Sequence, residues 1–159
     1  FHASFDARSR EYHYFIHFRK DPFCEKYSYR MRHPLDIGKM NEAAAYLLGE
    51  HDFRCFEKTG GNNLTSVCTV TEAVWSTYRP THIEMMGMDC GEGDYIVFRI
   101  KANRFLRNMV RAIVGSLIEV GRGKRSPEWI AELVAEGTRS DAGSSVPGNA
   151  LFFSGAAYK

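Results

Sequence analysis

Three arginines spaced three and four residues apart, Arg104, Arg107 and Arg111, are the residues of this sequence best placed to do chemistry together. They fall within residues 100–121, IKANRFLRNMVRAIVGSLIEVG, where apolar residues recur at helical spacing. At about 100° per residue, the three guanidinium groups would lie along one edge of the apolar face. Such an edge is where the wall of a cleft would carry fixed positive charge. The plainer interpretation is a solvated helix shoulder, whose aliphatic stems cover the edge of the core.

Positive charge is concentrated in two segments, although the whole chain has a formal net charge of only +2. Residues 101–125 contain seven basic residues and one acidic residue, and residues 1–33 contain seven basic and four acidic residues. The rest of the chain is therefore acidic. This distribution suits an anionic partner, and nucleic acid is the first candidate because clustered Lys and Arg side chains bind phosphates.

The composition is that of a globular domain. The chain has 159 residues, of which 44% are hydrophobic and 13% aromatic, enough for one core. No apolar run approaches the ~20 residues of a membrane span. The four cysteines are widely separated, which is typical of free thiols in a reducing compartment and not of a zinc site or a disulfide framework. Because the sequence begins without Met, we expect it to be a domain of a larger protein.

Periodicity predicts four strand regions and three helices. The strand regions are 11–18, 67–76, the pair 83–88 and 94–100, and 150–158. The helices are one capped by Asp36 and ending at Gly49, the long helix from Asn103 to Gly121, and a short helix beginning at Ser126 and Pro127. Residues 51–61 are predicted to form a turn-rich loop.

The order of these elements predicts the fold class. Strand, helix, two or three strands, helix and strand is the split βαβ order of a ferredoxin-like α+β sandwich, with one antiparallel sheet and helices on one face. RNA-binding modules use this fold, and so do metal carriers and metabolite sensors. The fold alone therefore does not decide the function.

Other constellations of reactive residues are weak. His13 and His17 share a strand face, but the sequence around them contains no metal-binding motif, so no metal site is predicted. His51 and Asp52 are typical of a turn or a helix cap. The sequence contains no G-x-S-x-G, no phosphate-binding glycine loop and no H-E-x-x-H.

Four segments, taken in chain order, resemble one family. They are FHASFDARSREYHY at the start, GEHDFRCF at 49–56, the segment 100–121, and SVPGNALFF at 145–153. Together they resemble the C-terminal domain of the tRNA pseudouridine synthases of the TruA type, and the resemblance covers essentially the whole chain. It implies a cytoplasmic, homodimeric enzyme with two ferredoxin-like halves, which isomerises uridines 38 to 40 of the tRNA anticodon arm without a cofactor or a metal.

The resemblance also implies that residues 1–159 are only the C-terminal half of such an enzyme. The family's catalytic aspartate lies in a G-R-T-D-x-G-V-H motif of the N-terminal half, upstream of FHA, and this sequence does not contain that motif. Asp141 lies in a similar stretch, TRSDAG, but in the wrong place in the chain order, and we interpret it as a loop residue. We therefore expect this fragment alone to be inactive.

The resemblance assigns roles residue by residue. Tyr12 matches the tyrosine that lies against the target uracil, and Tyr14 is better explained as a core aromatic residue. Arg111 matches the residue that pairs with the catalytic aspartate and holds it ionised, since an adjacent cation favours the charged carboxylate. Further basic residues are expected near the same cleft edge, where they would contact the tRNA anticodon stem-loop: Arg8, Arg10, Lys101, Arg104 and Arg107.

Two alternatives remain open at this point. The first is a non-catalytic RNA-binding module of ferredoxin-like fold. The second is a ferredoxin-like assembly or metabolite-sensing domain, which would have no affinity for tRNA. An open reading frame that extends upstream into an R-T-D motif would favour the enzyme.

Overall fold

Six strands form one sheet in the computed structural model, which describes residues 9–58 and 65–157. The elements in chain order are β1 (Ser9–His17), β2 (Tyr29–Arg30), α1 (Ile37–Ala45), β3 (Gly49–Asp52), β4 (Val67–Thr77), α2 (Thr81–Met86), β5 (Tyr95–Ala102), α3 (Met109–Gly121), α4 (Glu128–Glu136) and β6 (Leu151–Ala157). Single 3₁₀ turns lie at Arg54–Phe56 and Gly148–Ala150.

β1 pairs with three other strands. β5 pairs with it in antiparallel orientation along one side, followed outward by β4 and β3. On its other side, β6 pairs antiparallel with the first part of β1, and the two residues of β2 pair in parallel with its end. The ferredoxin-like α+β arrangement is confirmed, but the sheet is mixed and not purely antiparallel. Residues 18–28 loop back, so that β2 runs parallel to the last two residues of β1.

One face of the sheet carries the main core. Tyr14 and Ile16 of β1 and Phe98 of β5 are fully buried there, together with the apolar faces of α1, α3 and α4. The Phe98 ring lies 4.9 Å from that of Trp75 on β4, centroid to centroid. On the opposite face, residues 21–28 and α2 pack around Tyr95 at one end.

The long helix begins later than the sequence predicts. α3 starts at Met109, because β5 continues to Ala102 and the chain then turns through Asn108 at a φ of 66°. The predicted cap Asn103 does not cap a helix. Its side-chain oxygen accepts a hydrogen bond from the Thr69 N–H at 2.8 Å instead. The apolar stripe within α3 is buried as predicted, and Leu106 is buried although it precedes the helix.

Three further predictions need correction. Residues 83–88 were expected to be a strand, but α2 lies there, since Pro80 precedes it and Gly87, at a φ of 64°, ends it. An apolar run this short does not separate a strand from a helix. His51 and Asp52 belong to β3 and not to a loop. α1 is capped by Asp36 as predicted, but it ends at Ala45.

Candidate active site

Tyr12 and Tyr14 lie on the core-facing side of β1, because residues two apart in a strand share a face. Tyr14 is completely buried, and its hydroxyl donates to the carbonyl oxygen of Pro147 at 2.7 Å. Burial raises the pKa of this hydroxyl well above its usual range, although the nearby Arg111 opposes the rise. Tyr14 is therefore a neutral hydrogen-bond donor that links the loop before β6 to β1.

Arg111, in the first turn of α3, holds the same loop from the other side. Its Nε donates to the carbonyl oxygen of Val146 at 2.8 Å, and the Val146 N–H donates to the Arg111 carbonyl at 3.2 Å. A Cβ atom at Gly148 would lie 3.5 Å from Cζ of Arg111, so the glycine packs against the guanidinium plane. Arg111 and Tyr14 thus bind two consecutive carbonyls of one loop.

The loop itself is fixed against α3. A Cβ atom at Gly115 would lie 1.8 Å from the Ser144 carbonyl oxygen, so only glycine permits this contact. The Asn108 side chain donates to the Ser145 hydroxyl, and the Gly143 N–H donates to the Ser116 hydroxyl at 2.9 Å. These contacts give Arg111 a rigid anchor.

The rest of the Arg111 guanidinium is open. An arginine side chain has five N–H donors, and in the described part of the chain only the Nε of Arg111 has an acceptor. Within those same residues, no carboxylate lies within ion-pair distance of it. A half-buried, anchored guanidinium with free Nη groups suits a carboxylate or a phosphate, which it can bind through two parallel hydrogen bonds.

Tyr12 adds an aromatic surface on the same side of the sheet. Its ring is half-buried and meets the edges of Phe105 at 5.0 Å and Phe153 at 5.4 Å, measured between centroids. Phe153 is 56% exposed, so the cluster reaches the solvent. Such a cluster can receive a flat ring, such as a nucleobase that has left its stack.

The sequence of the chain also matches known proteins. The family described as tRNA pseudouridine synthase matches residues 43–159. The tRNA pseudouridine synthase A of Bacteroides fragilis is 45% identical over 152 residues, which are 95% of this chain and 55% of that protein. The chain belongs to the tRNA pseudouridine synthase family.

Other family members give the same picture. The tRNA pseudouridine synthase A of Porphyromonas gingivalis is 43% identical over 157 residues, 99% of this chain and 58% of that protein. The protein of the same name from Halalkalibacterium halodurans is 39% identical, over 95% of this chain and 53% of its own length. The chain thus spans about half the length of the curated relatives it matches.

The basic residues predicted to share the cleft edge of this family member do not all converge. Arg10 pairs with the core residue Ala102 across the sheet and therefore shares the Tyr12 face. Arg8 lies outside the described residues. Arg104 and Arg107 precede α3, so the predicted line of three arginines along one helix is wrong. Arg104 donates to the carbonyls of Thr65 and Val67, and Arg107 is exposed.

Lys101 lies on the opposite face of the sheet, contrary to the prediction. Strand alternation places it beside its cross-strand partner Glu11, at 3.9 Å, and beside Glu72 of β4, at 3.8 Å. Its charge is therefore shared between two carboxylates away from Arg111.

The remaining sequence motifs have local roles. Asp141 is exposed and accepts hydrogen bonds from the N–H and the hydroxyl of Thr138, which lower the pKa of its carboxyl; it is a loop residue, as predicted. His51 contacts the Leu48 carbonyl, and Asp52 accepts from the Arg54 N–H. The four cysteines are free thiols, as predicted.

The described residues contain no cluster of three or more potential metal ligands. None of their helices is long and apolar enough to cross a membrane.

Sequence reasoning missed the loop that links Tyr14 to Arg111. Tyr14 was interpreted as a core residue, and it is one, but its hydroxyl also holds Pro147. Only the family resemblance pointed to residues 145–148. A signal was present in Gly115, a glycine inside a strongly helical segment, which is typical of a close backbone approach.

Proposed function

We propose that this chain is the C-terminal half of an enzyme that isomerises uridines 38 to 40 of the tRNA anticodon arm to pseudouridine. The observation that carries the proposal is the Arg111 guanidinium, which is anchored through one N–H group and open at the others, in a chain of this family. A cation built in this way needs an anionic partner from outside the described residues. The catalytic aspartate of the upstream half, which the family resemblance implies, is that partner.

The reaction defines what the partner carboxylate needs. The bond between C1′ of the ribose and N1 of the base breaks, and a bond between C1′ and C5 forms. The hydrogen at C5 is lost as a proton and N1 gains one, so no oxidant or reductant is consumed. A nucleophilic carboxylate must be ionised for this chemistry, and the Arg111 charge lowers the pKa of a carboxyl beside it. The guanidinium also fixes the orientation of the carboxylate.

Tyr12 supplies the second requirement, a place for the extruded base. A uridine within the anticodon arm must leave its stack before C1′ and C5 are accessible. The half-buried cluster of Tyr12, Phe105 and Phe153 offers aromatic edges to such a base. We assign Tyr12 to contact with the uracil ring and Arg111 to the aspartate.

The test compares this chain with a protein that also contains the upstream half. Both are incubated with unmodified tRNA labelled with tritium at C5 of uridine, and tritium release is measured. We expect release only with the longer protein, because the 159-residue chain lacks the R-T-D motif. Release by the short chain at even a few per cent of the longer protein's rate would overturn the assignment of the nucleophile to the missing half.

We further propose that the protein acts as a cytoplasmic homodimer. Support comes from exposed rings on the sheet face opposite α3, where Phe15, Tyr27 and Phe152 surround a cavity of about 510 Å³. Tyr27 is 59% exposed and Phe152 is 38% exposed, which is unusual for rings packed together at a surface that stays in water. Light scattering on the full-length protein would give its mass directly, and the mass of a monomer would overturn the proposal.

A further inference from the structure

An open cavity of about 680 Å³ lies beside the loop that holds Arg111. Residues 29–33 form one wall, the C-terminal half of α3 a second, and residues 144–147 a third. The third wall includes Val146 and Pro147, whose carbonyls bind Arg111 and Tyr14. The cavity therefore borders the loop that anchors Arg111, but Arg111 and Tyr12 do not line it and none of the assigned roles uses it.

The lining of this cavity is strongly basic. Its charged and titratable residues are Arg30, Arg32, His33 and Arg122, against the single carboxylate of Glu119. Glu119 already has a cationic neighbour, Arg125, at 4.0 Å. In the described part of the chain, none of the three cavity arginines makes an ion pair. By contrast, Arg79 and Arg99 elsewhere on the surface each have a glutamate partner.

The remaining lining suits an anion with several oxygens. The hydroxyl-bearing residues Tyr29, Ser144 and Ser145 line the cavity with Met31 and Ile118. Hydroxyl and guanidinium groups are the donors that proteins use for backbone phosphates. Because Gly115 and Ser116 fix residues 143–145 against α3, this wall needs no reorganisation to receive a ligand.

We infer that this cavity binds a backbone phosphate of the RNA substrate, with Arg32 and Arg122 as its main cationic contacts. The inference rests on the proposed function. Arg122 follows Arg111 by eleven residues, about 16 Å along the helix axis. The bound phosphate therefore belongs to a nucleotide several steps away from the target uridine. A contact at that distance fixes the register of the RNA strand relative to Arg111 and Tyr12, as phosphate contacts generally do.

The test is the salt dependence of binding between the 159-residue chain and an unmodified anticodon stem-loop. The variant Arg32→Gln/Arg122→Gln removes two exposed cations from the cavity. The control Arg79→Gln/Arg99→Gln removes the same number of charges from residues that do not line it. Each lost phosphate contact lowers the slope of log K against log salt by about 0.7 to 0.9. Because the two arginines share one phosphate, we expect the cavity variant to lose about 0.7 to 0.9 units of slope, and the control variant to keep the wild-type slope.

Each outcome decides something. A normal wild-type slope that is unchanged in the cavity variant would overturn this inference and leave the proposed function intact. Absence of salt-dependent binding by the wild-type chain would overturn both. Arg32→Lys/Arg122→Lys should restore most of the slope, because charge is the property required, and failure to do so would argue for a merely structural role.

A second measurement uses the complete enzyme. The cavity variant should raise KM for tRNA at least fivefold and leave kcat within about twofold, since the cavity lies away from the reacting atoms. A lower melting temperature with an unchanged KM would mean that other parts of the protein fill the cavity, which would overturn the inference. Inorganic phosphate at millimolar concentration should compete only weakly with the stem-loop. Tight competition would identify a site for free phosphate instead.

Discussion

Two polar clusters lie on opposite faces of the sheet, and they are built in opposite ways. Asp21, only 4% exposed, has its carboxylate in contact with the Tyr95 hydroxyl at 2.6 Å, His82 Nε2 at 2.6 Å and the Phe23 N–H at 3.0 Å. Burial alone would raise the pKa of this carboxyl, but the hydrogen bonds lower it to about 2. The Arg111 guanidinium, on the other face, uses a single N–H group within the described residues.

The difference separates a structural cluster from one that we propose to be functional. The charge of Asp21 is satisfied within the chain, so the cluster stabilises the fold and presents nothing for a ligand. Arg111 is also anchored, but among the described residues most of its N–H groups have no acceptor. Buried or half-buried charges are retained in proteins when they are paired, and an unpaired one therefore indicates a partner. The experiments below compare these two clusters.

The largest effect is expected from Arg111→Ala in the complete enzyme. Without the guanidinium, the carboxylate that it holds would be desolvated and unpaired, which costs about 4 kcal/mol. That free energy corresponds to about a thousandfold loss of turnover, which tritium release from C5-labelled tRNA would measure. Binding of tRNA should change by less than threefold, because the variant keeps the other basic residues that we propose contact the RNA backbone.

The control for this prediction is Arg111→Lys. It keeps the charge but not the planar fork, so a partial rescue of turnover is expected. If Arg111→Ala kept most of the activity, Arg111 would have no part in the mechanism. Its unpaired N–H groups would then have no catalytic meaning.

Asp21→Asn should reduce stability and leave chemistry unchanged. The pKa of Asp21 falls from an ordinary value of 3.8 to about 2 on folding, which corresponds to about 2 kcal/mol of stability at neutral pH. A lowered pKa means that this contribution is present above about pH 4 and is lost as the pH falls toward 2. Urea unfolding at pH 7 and pH 2.5 would show the difference between wild type and variant shrinking in acid.

The exposed Asp89 provides a matched control for this comparison. Asp89→Asn should change stability by less than about 0.5 kcal/mol at either pH. An equal effect of the two substitutions would show that the Asp21 cluster contributes no more than an ordinary surface carboxylate.

Tyr14→Phe tests the link between the fold and the site. It removes the hydrogen bond to the Pro147 carbonyl, and the loss of such a bond costs about 1 kcal/mol. Because the Arg111 anchor lies on the adjacent carbonyl, we also expect a severalfold lower kcat at unchanged KM. The measurements are the turnover kinetics and the urea unfolding of Tyr14→Phe. The control is Tyr46→Phe, a change at an exposed ring. A loss of stability with no change in kcat would restrict Tyr14 to the core.

Most of the fold could be predicted because its strongest signals are local. Alternation in β1, the Asp36 cap of α1 and the apolar stripe of α3 each depend on a short stretch of sequence. The start of α3 and the identity of α2 could not be predicted in this way. They depend on where β5 ends against β1 and β4, and on Gly87, which no periodicity reveals.

The candidate site was predictable only in part for the same reason. Tyr12 and Arg111 were singled out through the family resemblance, and the structure brings both to one face of the sheet. The loop at 145–148 is held by long-range hydrogen bonds from Tyr14 and Arg111, which leave no periodic pattern. Lys101 was misplaced because local charge was counted without strand alternation, which turns every second residue of β5 away from the cleft.

Substitution of Lys101 should therefore have the smallest effect on RNA binding. It also tests directly which face of the sheet binds RNA. Its ammonium group lies between Glu11 and Glu72, on the face opposite Arg111, so it has little net charge to offer a phosphate. Lys101→Gln should change stem-loop affinity less than twofold and leave the slope of log K against log salt unchanged. The measurement is the same salt titration as for the cavity variant. A loss of about one unit of slope would show that a phosphate contacts Lys101, which would place RNA on the helix-free face and break the contrast between the two faces.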